Sequence, residues 1–171
     1  MGPLESVRVL ELASVLAGPL AGTALAERGA YVTKVERPPH GDVTRSWKTK
    51  HENAENASSA YYEGAHGEKE VVWQDLATAA GQVWLEQALA SHDVLIENFK
   101  QSDLTKFNLE PEDLAARHPH LVRVRLVGFD DAPERLAYDV VVQAETGFMG
   151  MNGFEDRPPV RMPVALMDVL A

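Results

Sequence analysis

Short apolar runs alternate with segments of helical pattern, and this alternation limits the possible folds more than any other feature of the chain. The runs are rich in Val, Leu and Ile and cover residues 7–12, 31–35, 70–73, 93–97 and 121–127. Helical patterns cover residues 19–28, 79–90 and 111–117. Strands that alternate with helices are typical of a covered parallel sheet. The sequence therefore predicts an α/β fold of Rossmann-like form, a mostly parallel sheet with helices on both faces.

The boundaries of these segments agree with the prediction, and nothing divides the chain. Gly29 stands where a glycine often ends a helix, and Pro111 suits a first helical turn. A chain of 171 residues can bury one core, and no linker interrupts it. We therefore expect a single domain over residues 1–171. Residues 37–59 form one long irregular stretch, which is typical of a functional or a disordered loop.

Composition and charge exclude several classes of protein. The chain has no cysteine, so it has no disulfide and no thiol nucleophile, and a carboxylate is the leading candidate for covalent catalysis. A net charge of -10 argues against nucleic acid as a partner. No apolar run is long enough to cross a membrane, and the first residues lack the pattern of a signal peptide. We expect a cytoplasmic protein without a membrane partner.

A local excess of basic residues stands out on this acidic chain. Residues 31–50 carry five basic side chains against two acidic ones, Glu36 and Asp42, a local charge of +3. Such an island can attract an anionic small molecule. The basic residues are Lys34, Arg37, Arg45, Lys48 and Lys50.

Common catalytic and nucleotide-binding motifs are missing. Glu36 follows the second strand as an acidic residue does in dinucleotide-binding folds, but Gly18 and Gly22 do not form G-x-G-x-x-G. The chain also lacks a P-loop, an H-E-x-x-H motif and a G-x-S-x-G motif. His118 and His120 flank Pro119, which indicates a solvated turn at a helix end more than a metal site.

Three loops are expected to meet at one edge of the sheet. They cover residues 13–19, 36–47 and 98–106, and each follows a predicted strand. In open parallel sheets, ligands bind beyond the carboxyl ends of the strands. The sequence therefore predicts a ligand site at this edge.

The same loops carry a resemblance to a known family. The stretch VRVLELASVLAGPLAGTALAERGAYVTKVERPPHGDVTRSW resembles the start of the class III CoA-transferases, which include the formyl-CoA transferase, carnitine CoA-transferase and alpha-methylacyl-CoA racemase types. DVLIENF, HPHLVRVRLVGF and YDVVVQAETGFM extend the resemblance over nearly the whole chain. It implies an enzyme that moves CoA between carboxylic acids, with acyl-CoA and an acceptor acid as substrates.

The resemblance implies a role for particular residues. Val15, Leu16 and Ala17 would lie against the CoA nucleotide, and Arg37 would contact its phosphate end, because a guanidinium matches phosphate oxygens. Further residues would bind CoA or line its channel: Lys69, Asn98, Phe99, Lys106 and Tyr138.

Asp168 matches the catalytic aspartate of the family. A carboxylate is ionised at pH 7 and can attack the thioester of acyl-CoA, which implies an aspartyl-acyl anhydride. The acyl group is then passed on by way of CoA. This chemistry implies neither a metal nor a tightly bound cofactor.

The chain departs from the family in three places and in length. The family's N-F-x-P-G turn is replaced at residues 98–102, and an arginine is missing from residues 66–69. Tyr138 replaces the histidine of the racemase branch, which weakens that alternative. Members are more than twice as long, with a second smaller domain, and form interlocked dimers. A 2-methylacyl-CoA racemase and a truncated, non-catalytic CoA-binding or assembly module stay open as alternatives. A homodimer, or pairing with a complementary C-terminal chain, is the expected assembly.

Overall fold

One sheet of parallel strands forms the centre of the computed structural model, which describes residues 2–129, 131–132 and 134–171. The strands are β1 (Arg8–Glu11), β2 (Tyr31–Glu36), β3 (Glu70–Trp73), β4 (Val94–Glu97) and β5 (Val122–Arg125). Their order is β3-β2-β1-β4-β5, and every neighbouring pair is parallel. The chain thus turns from β2 on one side of β1 to β4 on the other, which places the switch in strand order beside β1.

Helices pack on both faces of this sheet. They are α1 (Ala17–Ala26), α2 (Ala60–Ala65), α3 (Ala79–Ser91), α4 (Gln101–Lys106), α5 (Pro111–Arg117), α6 (Asp139–Glu145) and α7 (Leu166–Leu170). Short 3-10 turns cover Val43–Ser46 and Phe148–Met151. The predicted α/β architecture is confirmed.

Two apolar clusters lie on opposite faces because successive residues of a strand point in opposite directions. Leu10 and Leu95 pack with leucines of α3, α4 and α5. Val9 and Ile96, their neighbours in sequence, pack with Ala26 of α1 on the other face. Burial on both faces explains why the strands read as nearly continuous apolar runs.

Some expectations from the sequence are incomplete or wrong. Helices α2, α4, α6 and α7 were not predicted, because they are short and show little periodicity; α5 is equally short, but Pro111 marks its first turn. The expected solvated turn after α5 is present at Pro119 and His120, which are exposed, but His118 itself is buried, and its Nε2 lies 3.0 Å from Glu86 Oε1. Within the described ranges, no helix has the length and apolar character that a membrane crossing requires.

The two-faced core yields a stability prediction. Leu95 is completely buried at the centre of the sheet, so Leu95→Ala should lower the free energy of unfolding by about 2–5 kcal/mol. Val83 of α3 is 61% exposed, and Val83→Ala should change the free energy of unfolding by less than about 0.5 kcal/mol. Urea denaturation measures both values. Equal effects of the two substitutions would contradict this assignment of the core.

Candidate active site

Two adjoining pockets lie at the carboxyl edge of the sheet, where the predicted loops meet. The first pocket is lined by residues that follow β1, β2 and β3, together with residues near α4. The second lies between the β1–α1 turn, the residues after β4 and β5, and helices α6 and α7. Ser14 and Phe99 line both pockets. The pockets are therefore neighbours along one side of the molecule.

The first pocket contains two of the predicted CoA-binding cations. The side chain of Arg37 is 72% exposed, and its Nε lies 3.5 Å from Asp75 Oδ2. Lys106 lines the same pocket, beside the tilted ring pair of Phe99 and Phe107, whose centroids are 5.1 Å apart. An exposed guanidinium at the rim can reach a phosphate, because its partner Asp75 holds it only in a solvated pair.

The second pocket contains the predicted nucleophile. Asp168 lines it together with Tyr138 and Asn98, and Val15, Leu16 and Ala17 form another part of its wall. All predicted site residues except Lys69 thus line one of the two pockets. Their roles towards a ligand stay predictions.

The turn that enters the second pocket has a strained conformation. Val15 has φ 75°, in the left-handed region that a β-branched residue rarely adopts. Its N–H donates to Asp42 Oδ2 at 3.1 Å. Asn98 pairs with the backbone of Ser14 in both directions, accepting from its N–H at 3.1 Å and donating to its carbonyl at 2.9 Å. These bonds hold the turn in place, so Asn98 both lines the second pocket and supports the turn beside it.

A buried network of charges lies directly beneath this turn. Lys34 is 1% exposed, and its Nζ lies 3.2 Å from Asp42 Oδ2 and 3.4 Å from Glu11 Oε1. The same ammonium donates to the Ala13 carbonyl at 2.6 Å. Gly22 of α1 lies so close that an added Cβ would meet Glu11 Oε2 at 1.8 Å. The network therefore connects β1, β2, α1 and the loop after β2.

Lys69 belongs to this network and not to a pocket. Its ammonium donates to Glu11 Oε2 at 2.8 Å, to the Pro19 carbonyl at 2.6 Å and to the Ala65 carbonyl at 3.1 Å. An ammonium has three N–H groups, so all of its donors are used within the protein. The predicted contact between Lys69 and CoA has no support in this arrangement.

The predicted basic island is likewise not a surface patch, because two of its members are neutralised inside the protein. Lys34 is buried as described, and Arg45 forms a two-pronged pair with Glu36, at 2.6 Å and 2.9 Å. Tyr62 donates to the same Glu36 carboxylate at 2.5 Å. The charge excess of residues 31–50 therefore reaches the first pocket mainly through Arg37.

Burial and charge shift several pKa values in the network. Burial raises the pKa of Glu11 above its ordinary value despite Lys34 and Lys69. Burial also acts to raise the pKa of Asp42, but Lys34 and hydrogen bonds from Thr44 and Val15 lower it overall. For His66, burial and the nearby ammonium groups lower the pKa to about 3. The histidine is therefore neutral, stacked on Tyr62 with ring centroids 4.1 Å apart.

Asp168 is held near a second carboxylate. It lies in the first turn of α7, and the N–H groups of Met167 and Asp168 donate to Asp139 Oδ1 at 2.7 Å and 3.4 Å. Burial and then the charge of Asp139 raise the pKa of Asp168 above its ordinary value. A less hydrated, more basic carboxylate is a better nucleophile than a free one.

Sequence reasoning missed several residues around the site. Glu11 and Lys34 interrupt strands that are otherwise apolar, which was the available indication that a buried charge pair exists. Tyr61 was also missed, and burial and then the carboxylates of Asp168 and Asp139 raise its pKa. In the described ranges, no group of three or more His, Cys, Asp or Glu side chains is arranged to hold a metal ion.

Comparison with known proteins identifies the family. The family model described as CoA-transferase family III matches residues 4–171. The chain belongs to CoA-transferase family III. The family resemblance seen in the sequence is thereby confirmed.

Curated relatives of the chain are CoA-transferases. The succinate–glutarate CoA-transferase of Agrobacterium fabrum is 39% identical over 173 residues, covering 98% of this chain and 43% of the relative. The succinyl-CoA:glutarate CoA-transferase of Mus musculus is 36% identical over 172 residues, covering 99% of this chain and 39% of the relative. The chain thus spans less than half the length of these relatives.

A solved structure has the same fold. The crystal structure of a CAIB/BAIF family protein from Brucella suis superposes with a TM-score of 0.87 at 36% identity. The match covers 98% of this chain and 45% of that protein. The described fold therefore corresponds to a part of the larger family structure.

The buried network predicts a large effect of removing its central cation. Lys34→Met leaves Glu11 and Asp42 without their shared partner, so the free energy of unfolding should fall by about 3–5 kcal/mol. Lys50→Met, at an exposed position of the loop after β2, is the matched control and should have little effect. Urea denaturation of both variants measures the difference, and a loss below about 1 kcal/mol for Lys34→Met would contradict the assignment.

Buried His66 predicts a dependence of stability on pH. Unfolded histidine takes up a proton near pH 6.5, whereas folded His66 resists protonation until about pH 3, so stability falls as the pH drops below 6.5. His66→Gln should reduce this slope by up to about 1.4 kcal/mol per pH unit between pH 6.5 and about 5. Burial also lowers the pKa of His92, so this histidine still contributes to the slope in the His66→Gln variant.

Denaturation at several pH values measures this slope for His66→Gln and for His51→Gln. His51 is exposed, so His51→Gln should keep the wild-type slope. The ordinary pKa values of Glu36 and Asp42, 4.5 and 3.8, lie below this window, and the folded values are lower still. Glu11 and Asp168, whose pKa values are raised, are present in the wild type and in both variants, so the slopes are compared between proteins that share them. An unchanged slope in His66→Gln would show that the folded protein accepts the proton.

Proposed function

We propose that residues 1–171 form one CoA-binding domain and carry the nucleophile of an enzyme that transfers CoA between carboxylic acids. The observation that supports this most is the arrangement of the two pockets. Arg37 lies at the rim of the first, Asp168 lines the second, and Ser14 and Phe99 belong to both. In this proposal the phosphates of CoA lie near Arg37 and Lys106, and the pantetheine arm passes Phe99 towards Asp168.

The proposed reaction has four exchanges at Asp168. Its carboxylate attacks the thioester carbonyl, a C–O bond forms as the C–S bond breaks, and an anhydride and CoA thiolate result. The thiolate attacks the aspartyl carbonyl, releases the first acid and leaves CoA as a thioester on Asp168. The acceptor carboxylate displaces this thiolate to form a second anhydride. The thiolate then takes the new acyl group and restores the Asp168 carboxylate.

Groups around the second pocket fit this chemistry. Each attack places negative charge on a carbonyl oxygen, which preorganised N–H donors can stabilise. The amino end of α1 borders the pocket at Ala17, and its N-cap residue Leu16 provides no side-chain cap. The first N–H groups of a helix lack intrahelical acceptors, so we assign the oxyanion to this end of α1.

Dicarboxylic acids are the proposed substrate class. The relatives are named for succinate, glutarate and succinyl-CoA. Succinate and glutarate each have two carboxylates, and succinyl-CoA keeps one of the two as a free carboxylate. Lys100 and Arg135 line the same pocket as Asp168. A cation that lines this pocket can hold the distal carboxylate of such a substrate, and Arg135 does so in competition with its solvated partner Glu145.

The alternative functions make different demands on the same pocket. A 2-methylacyl-CoA racemase needs a base on each side of the α carbon, and the position of its histidine is occupied by Tyr138, 59% exposed in the second pocket. A non-catalytic binding or assembly module would bind CoA without reacting. A homodimer, or a complementary chain that supplies the remaining length of the relatives, is the proposed assembly for turnover.

Replacing the nucleophile separates binding from chemistry. Asp168→Asn keeps the shape of the side chain but removes the attacking oxygen, so labelled acyl groups from succinyl-CoA should no longer attach to the protein. The dissociation constant for CoA should stay within about twofold, because most CoA contacts lie elsewhere.

Intact-mass spectrometry after acid quench measures attachment, and Asp156→Asn, at an exposed position, is the control. Attachment to the wild type and equally to Asp168→Asn would refute the assignment of the nucleophile. Exchange of the α proton with deuterated solvent, without attachment, would favour the racemase. CoA binding without either reaction would favour the non-catalytic module.

A further inference from the structure

The helix that bears Asp168 is too short to fix its own position. Helix α7 has five residues, and its N-cap residue Ala165 offers no side-chain acceptor. The segment that leads into it, from Asn152 onward, contains neither helix nor strand. The N–H groups of a first helical turn need acceptors from outside the helix. Groups from another element must therefore orient Asp168.

Asp139 of α6 supplies these acceptors. Its Oδ1 accepts from the N–H of Met167 at 2.7 Å and from that of Asp168 at 3.4 Å. Asp139 thus caps the amino end of α7 although it belongs to α6. Helices α6 and α7 also pack against each other.

Gln143 completes the attachment one turn further along α6. Its side chain is 1% exposed, and its Nε2 donates to Asp139 Oδ2 at 2.6 Å and to the Val164 carbonyl at 3.3 Å. Its Oε1 accepts from the N–H of Met162 at 2.9 Å. Both ends of a buried amide are therefore used to hold the segment before Asp168.

Neither residue lines the second pocket, whereas their neighbours Tyr138 and Val142 do. One helix thus presents a pocket wall on one side and holds the nucleophile segment on the other. A carboxylate that must attack a carbonyl carbon loses rate steeply when it is misplaced by about 1 Å.

We propose that Asp139 and Gln143 are positioning residues that set the location of the Asp168 carboxylate opposite the β1–α1 turn. This inference rests on the proposed role of Asp168 as nucleophile. The pair, here called the α6 clamp, acts through the backbone of residues 162–168 and does not touch the substrate.

A polarity swap tests the clamp. Asp139→Asn places an amide N–H opposite the Gln143 N–H, and Gln143→Glu places a carboxylate opposite that of Asp139, so each single variant loses the bond between the two side chains. In the double variant the new amide donates to the new carboxylate. This restores the bond between the two side chains with reversed direction and keeps the net charge of the pair, whereas the bond from position 143 to the Val164 carbonyl is lost in both Gln143→Glu and the double variant.

The measurement is the rate of Asp168 acylation by succinyl-CoA in a quenched single turnover, together with the dissociation constant for CoA. We expect each single variant to acylate about 10-fold more slowly or worse, with CoA affinity within about twofold of the wild type. The double variant should acylate at least about threefold faster than Gln143→Glu, which lacks the same bond to Val164. Glu112→Gln, which removes an exposed charge on α5, is the control and should acylate at the wild-type rate.

Three results would overturn the inference. Wild-type rates in both single variants would show that the clamp does not position Asp168. A double variant no faster than Gln143→Glu would show that the bond between the side chains is not what matters. If the wild type is acylated at a residue other than Asp168, or not at all, the proposed function itself fails, and the catalytic role of the clamp falls with it.

Discussion

The buried pairing of Lys34 with Asp42 and Glu11 is the interaction on which the rest of the site depends. It joins the middle of the sheet to the loop after β2, and Asp42 in turn holds the N–H of Val15. A charge that is buried without a partner costs several kcal/mol, so the members of such a network hold one another in place. The strained β1–α1 turn is a consequence of this anchoring, because its geometry is imposed by the groups beneath it.

This arrangement divides the basic residues near the site into two kinds. Lys34, Arg45 and Lys69 face inward and shape the backbone, whereas Arg37 faces solvent beside the first pocket. Carboxylates divide in the same way, since Asp42 and Asp139 accept backbone N–H groups and Asp168 lines the second pocket. A rigid frame of buried charges and capping groups thus surrounds the side chains that are free to meet a ligand, as preorganisation requires.

The strands and the architecture could be predicted from the sequence because doubly buried parallel strands read as apolar runs. The apolar run at residues 70–73 has the same bounds as β3, and the helical pattern at residues 111–117 has the same bounds as α5. The short helices α4, α6 and α7 could not be predicted, since their positions depend on tertiary contacts such as the bond from Met167 to Asp139. Most of the candidate site followed from the family resemblance. Lys69 shows its limit: a matching residue type does not reveal whether the side chain points to a ligand or into the core.

The most direct test of the central claim is a crystal structure of the Asp168→Asn variant with succinyl-CoA bound. The account predicts that the phosphates lie beside Arg37, that the pantetheine arm passes Ser14 and Phe99, and that the thioester carbon lies about 3.5 Å from the side chain at position 168. A ligand bound at another edge of the sheet, or one whose thioester points away from the second pocket, would contradict it.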